Sequence, residues 1–275
     1  MIIESIFVFI FGLLVGSFLN CVIWRTYKNQ SFMRGRSYCP RCKQELSWLD
    51  LVPLFSFLFL RGRCRYCKKP ISIQYPLVEL VLGLLFVFIY NYFKIELLYD
   101  GFTFAFYNVV FLWAAISLLA IAFVYDLKHY IIPDGVTFLG IGLTIAWIIF
   151  GYLQGFYIEQ DVVGFIVAAA GATIFFFILW FFSKGRAMGF GDVKLVFFLG
   201  LLLGITNTAV ALFISFISGA IIGLILIALR KKKLKSSVPF GPFLVAGTFV
   251  ALFYGTVIKD WYLSLSNYVY YYFFK

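Results

Sequence analysis

Eight separate runs of apolar residues dominate this chain, and a water-soluble fold has no way to bury them all. They occupy residues 5–24, 76–93, 102–125, 131–152, 162–182, a short 193–206, 209–229 and 240–257. About 20 apolar residues in a helix cross a bilayer core, because lipid offers no partner to backbone N–H and C=O groups and a helix pairs them internally. A β-barrel would show segments of about ten residues alternating apolar and polar, whereas these runs are apolar on every side. Composition agrees: 63% of the 275 residues are hydrophobic and 13% are charged, too few charges to solubilise a domain this apolar. The expected fold is an all-α polytopic membrane protein of about eight transmembrane helices. The first run is expected to be a span and not a removable signal peptide.

Charge sets the orientation. Lys and Arg resist translocation and collect in short cytoplasmic loops. Residues 25–75 hold eleven Lys or Arg and two acids, residues 183–194 hold three basic residues and residues 230–235 hold five. With Lys128 these account for twenty of the 23 basic residues, and the loops on the other side carry Glu96, Asp100, Glu159, Asp161 and Asp260. Both termini are expected to face outward from a cell (inner) membrane. The net charge of +11 then reflects topology and attraction to anionic inner-leaflet lipid, and no nucleic-acid partner is read from it. The aromatic tail at residues 262–274 is expected to lie at the outer interface.

The one hydrophilic block, residues 25–75, is the only candidate second domain. It is read between a first transmembrane helix at 1–24 and a membrane domain at 76–275. It carries Cys39-Pro40-Arg41-Cys42 and Cys64-Arg65-Tyr66-Cys67. Two C-x2-C knuckles supply the four thiolates of a tetrahedral zinc site, and Arg41, Lys43, Arg63, Arg65 and Lys68 offset its negative charge. Two disulfides are the alternative, disfavoured in a reducing cytosol. A closed four-cysteine zinc is structural. Cys21, alone in the first helix, reads as a small buried hydrophobe.

Carboxylates near hydrocarbon are costly and call for a partner or a task. Asp126 ends the third run and Asp192 sits in Gly189-Phe190-Gly191-Asp192-Val193-Lys194, both on the cytoplasmic side although 66 residues apart. Gly189 and Gly191 allow positive φ and close approach, and Pro133, just before Asp134, stops a helix. Two carboxyls sharing a site divide one proton between them, and the ionised member can polarise a water, as in aspartic proteases. The alternative is that the two aspartates pair with loop Lys or cap helices. Lys194 either tunes Asp192 or snorkels to lipid phosphate. Glu79, one turn into the second helix, leans toward function as an intramembrane acid. His129, the only histidine, reads as a solvated loop residue.

At these residues the chain resembles the type IV prepilin peptidases, the bacterial leader peptidase and N-methyltransferase family, over nearly its whole length. The resemblance runs through Gly16-Ser17-Phe18-Leu19-Asn20 with Arg25, the four-cysteine loop with Trp48, Pro53 and residues 60–64, the stretch 71–79 ending in Glu79, the motif from Asp126 to Pro133, Gly189–Lys194, and Pro239-Phe240-Gly241-Pro242. It implies catalytic roles for Asp126 and Asp192, with Gly189, Gly191, Lys194, Pro133, Asp134 and Glu79 in support. It implies cleavage of a basic leader from prepilins or pseudopilins at the cytoplasmic face, just after a glycine, followed in many members by methylation of the new N-terminus from S-adenosylmethionine. The methyltransferase function is associated with the cysteine loop, yet no glycine-rich nucleotide signature occurs. Two rival functions are a carboxylate-dependent transporter and a non-enzymatic zinc-bearing scaffold. A transporter would show paired broken helices near the midplane, whereas these aspartates are expected at one face and the two halves show no symmetry. The client protein and the oligomeric state stay open.

Overall fold

In the computed structural model the described residues are 2–31, 33–99, 102–186, 188–231 and 238–273, with only the backbone described at 95–99, 102–103 and 265–273. Residues 232–235 of the basic tract, Asp100, and the side chains of most of the aromatic tail lie outside that description. Among the described residues, seven helices are long and apolar enough to cross a membrane. They are α1 (Ile2–Tyr27), α3 (Gln74–Tyr99), α4 (Phe102–His129), α5 (Asp134–Leu153), α6 (Glu159–Ser183), α7 (Phe190–Ala228) and α8 (Gly241–Phe273), while α2 (Phe55–Phe59) is a short turn in the loop after α1. Among the described residues no strand forms, only isolated bridges between Tyr38 and Glu45 and between Arg63 and Pro70. The chain divides into two compact units, Met1–Ile121 and Ala122–Lys275, with the boundary inside α4.

In the first unit α1 and α3 cross backbone to backbone. Gly12 lies where any Cβ would meet the Gly83 Cα at 2.8 Å, and Gly16 where it would meet the Glu79 Cα at 2.7 Å. Lipid provides no hydrophobic drive between helices, so small residues that admit close contact hold such a pair. Beside this crossing, the Trp113 indole stacks on Phe86 at 5.0 Å and donates to the Phe86 carbonyl at 3.1 Å, which joins α4 to α3.

The second unit resolves the count of spans. At 39 residues, α7 would be about 58 Å long if straight, twice what a bilayer core needs. It breaks at Gly204, whose φ of 69° and ψ of −179° no helix contains. Before the break, Gly200 lies on Ala169 and Gly204 on Phe165, so this limb runs antiparallel to α6. After it, Phe216 meets Phe176 with centroids 5.8 Å apart, so the second limb runs parallel to α6. The chain therefore reverses at one glycine, and the sixth and seventh runs are the two limbs of α7, which brings the apolar helical segments among the described residues to eight. The second limb then pairs with α8 through Gly247, set against Ala211 and Ser215, and through the Ser215 hydroxyl, which donates to the Phe243 carbonyl at 2.9 Å. A tight reversal of this kind leaves no polar loop, so hydropathy alone places its break only approximately, at residues 207–208.

Candidate active site and metal centre

The loop of the first unit is built on a clamp of buried polar groups. The Arg25 guanidinium, at the inner end of α1, donates to the carbonyls of Ser31, Arg34, Gly35 and Arg36 at 2.6–3.1 Å, which folds the chain back just before the first knuckle. Asn20 donates to the Tyr75 carbonyl at 3.0 Å and accepts from Gln74 at 3.3 Å. The Glu79 carboxylate accepts the Leu54 N–H at 2.9 Å and the Ser17 hydroxyl. Leu54 itself sits at φ 59° and ψ −51°, a strained conformation that persists only where surroundings dictate it. Glu79 thus fastens the loop to α1 and α3, and Asn20 ties α1 to the first turn of α3.

Two knuckles of the same geometry follow. The Cys39 N–H donates to the Gln44 carbonyl and the Lys43 N–H to the Cys39 carbonyl; twenty-five residues on, Cys64 with Lys69 and Lys68 with Cys64 repeat both bonds, all at 2.8–3.0 Å. Lys43 and Lys68 share a left-handed φ of 59° and 56°. This turn brings the Cys39, Cys42, Cys64 and Cys67 sulfurs within 4.8 Å of one another, and all four are free thiols. The crowding polarises them. Desolvation opposes ionisation of Cys39, yet the N–H groups of Cys42 and Arg41 outweigh it and draw its thiol down to about 7. The Gln44 N–H favours the Cys42 thiolate, but desolvation and the Cys39 and Cys67 sulfurs push it up to about 11. A divalent cation among four soft sulfurs would remove that conflict, and the donor set and spacing suit tetrahedral zinc.

The two aspartates lie in the second unit, and both are buried, Asp126 at 5% and Asp192 at 7% exposure. Asp126 stands in the last turn of α4. After it the chain leaves the helix through Tyr130 at φ 57° and runs to Pro133, the N-cap of α5. Asp192 is the third residue of α7, and its Oδ2 accepts the N–H of the N-cap Gly189 at 3.1 Å, half of a capping box. The Asp126 Oδ2 accepts the Gly241 N–H at 3.0 Å, from the first residue of α8. Among the described residues no donor reaches either Oδ1. Buried Ile132 wedges the group together: it would touch a Cβ at Gly191 and one at Gly241, each at 3.2 Å. The two carboxyls are close enough to interact electrostatically.

Several supporting residues take places different from the expected ones. Gly189 and Gly191 do not use positive φ; at Gly191 a Cβ would press on Ile132 at 3.2 Å. Lys194 goes neither to Asp192 nor outward alone. It pairs with Asp134 at 2.7 Å over the rings of Phe190 and Phe138, and so ties α7 to α5. His129 packs edge-on against Tyr125 at 4.8 Å. Glu79 belongs to the loop clamp of the first unit. Sequence reasoning gave Gly241 no role, although a glycine between two prolines at a helix start was a visible signal, and it gave none to Ile132, which nothing distinguishes from an ordinary apolar residue.

Known proteins resemble the chain over nearly its whole length. A family model described as the bacterial peptidase A24 N-terminal domain matches residues 10–93, and one described as the type IV leader peptidase family matches residues 113–224. The chain is 35% identical to the prepilin leader peptidase/N-methyltransferase of Aeromonas hydrophila, over 94% of this chain and 93% of the relative. The chain belongs to the type IV leader peptidase family. Members from Legionella pneumophila, 33% identical over 93% of each chain, and from Bacillus subtilis, 33% identical over 94% of this chain and 97% of the relative, carry the same name. No solved structure matches the chain.

Proposed function

We propose that this protein is an aspartic endopeptidase of the inner-membrane boundary. It removes the leader of type IV prepilins or pseudopilins at the cytoplasmic face and then methylates the new N-terminal residue. The observation that carries the reading is the pair Asp126 and Asp192: two buried carboxyls from distant helices, each anchored by one backbone N–H and each within the other's field. Carboxyls so placed share one proton. The ionised member draws a proton from water as the water attacks the scissile carbonyl, and the protonated member donates to the carbonyl oxygen. Collapse of the tetrahedral intermediate passes a proton to the departing amine and restores the pair. Anchoring through Oδ2 leaves both Oδ1 atoms without a donor among the described residues and so available to this exchange, and the Lys194–Asp134 bridge holds α5 and α7 in register. The substrate's hydrophobic helix stays in the bilayer and presents its leader junction from the side.

Replacing Asp126 or Asp192 by Asn keeps size and burial but removes the titrating oxygen. Each variant is expected to lower leader removal from a co-expressed prepilin at least about 10²-fold while its thermal unfolding stays near that of the parent. Normal processing by either would overturn the assignment.

Cys39, Cys42, Cys64 and Cys67 would hold the zinc, whose chemistry here is to neutralise and cross-link four thiolates; the domain division we favour assigns residues 25–75 to this platform and 76–275 to the peptidase. S-adenosylmethionine is the methyl donor in this reading. The residues lining a cavity of about 400 Å³ beside α5 and α6, Ile148, Ile149, Leu153, Val162 and Val163 with Tyr152 and Glu159, do not form a cradle for a charged nucleoside, so no methyl-transfer step is assigned to particular side chains. The mass of the mature N-terminus with and without S-adenosylmethionine tests that activity separately.

A further inference from the structure

The chain between the two knuckles gathers six exposed large apolar side chains within twelve residues. Trp48 is 74% exposed, Leu58 68% and Phe59 84%, and Leu49, Leu51 and Phe55 are exposed beside them. Large apolar side chains are equally bare on α1, at Ile3 and Phe7 for example, where the lipid of a membrane span covers them. Here they stand outside any span, on α2 and the turn before it. We propose that residues 48–59 form a lipid anchor that inserts into an anionic membrane surface, with the cations of the same loop on the phospholipid headgroups.

Three further observations favour lipid as the occupant. The first is depth. Glu79 holds the Leu54 N–H, one residue before α2, at 2.9 Å, and Glu79 lies only five residues into the membrane helix α3, about 8 Å along its axis. The apolar segment is therefore fastened at the height where α3 enters the bilayer. The second is charge. The loop carries eleven Lys or Arg against two acids, and both acids are already paired, Glu45 with Arg36 at 3.3 Å and Asp50 with Arg65 at 2.6 Å. Arg61, Arg63, Lys68 and Lys69, which follow the apolar group in the sequence, stay exposed. Apolar side chains rimmed by cations are what an anionic interface binds. The third is rigidity. Phe57 turns inward onto Gly62, whose φ of 67° reverses the chain, so the outward residues of α2 have no way to fold in and cover themselves.

The anchor can be read by photocrosslinking on the full-length chain. Benzoylphenylalanine replaces Phe59 in one variant and Glu45, an exposed polar site in the same loop, in another. Both are reconstituted with a prepilin in vesicles of phosphatidylethanolamine and phosphatidylglycerol. Position 59 is expected to give lipid adducts several-fold above position 45, and this yield should fall several-fold in vesicles of phosphatidylcholine alone. Adducts from position 59 to the prepilin or to a second copy of the chain would overturn the proposal, as would a lipid yield no greater than at position 45 or one indifferent to headgroup charge. None of these outcomes depends on peptidase activity, so the anchor stands or falls apart from the catalytic reading.

Discussion

At Gly241 a single methyl group decides whether Asp126 keeps its place. A Cβ there would stand 2.7 Å from the Asp126 Oδ2 and 3.2 Å from Ile132, so Gly241→Ala must push the carboxylate off its backbone donor. Displacement of a reacting group by about 1 Å costs on the order of 10²-fold in rate, and a loss of that size in prepilin cleavage is expected, with the protein still folded. Gly142→Ala is the control, because nothing lies within 4 Å of the added carbon; a helical Gly→Ala change there should leave cleavage unaltered and stability equal or higher by up to about 1 kcal/mol. The Lys194–Asp134 pair is partly exposed, so a double-mutant cycle of Lys194→Met and Asp134→Asn, read by thermal unfolding, should return a coupling of only about 0.2–1 kcal/mol. A larger effect on cleavage than on unfolding would show that the bridge works by keeping α5 and α7 in register.

The element most sensitive to one residue is α7. Its reversal depends on Gly204 at φ 69° and ψ −179°, a region that side chains with a Cβ avoid at a cost of about 1–3 kcal/mol. Gly204→Val should therefore lower the yield of monodisperse protein and its unfolding temperature, while Gly171→Ala, with open space at its Cβ, should not. Hydropathy located two apolar runs here, because each limb is apolar in its own right, but it placed the turn a few residues late. The reason is that the turn costs one glycine and no polar loop. The α1–α3 crossing shows the same limit: Gly12 and Gly16 stand four residues apart, a spacing that suits close helix packing, yet only their contacts with Gly83 and Glu79 identify which helix they meet.

For the whole molecule, the two compact units allow one to be perturbed while the other is watched. If the four cysteines hold zinc as proposed, treatment with a strong chelator should open the loop between residues 36 and 70 to proteolysis while the far-UV helical signal is kept, since the membrane helices have their own backbone pairing. Cys64→Ser should do the same without chelator; a loop equally protected in both cases would argue that the metal is not what folds it. The sequence by itself determined the membrane class, the eight apolar segments, the pair of cysteine knuckles and the two aspartates, because each is written in local pattern: hydropathy over a window, or ligand spacing within a turn. Only the tertiary structure decided that Gly241 anchors Asp126, that Ile132 fills the space between Gly191 and Gly241, that Lys194 answers to Asp134, and that Arg25 and Glu79 serve the loop. These are contacts between segments far apart along the chain, and a packing partner leaves no periodic trace in the residues that meet it.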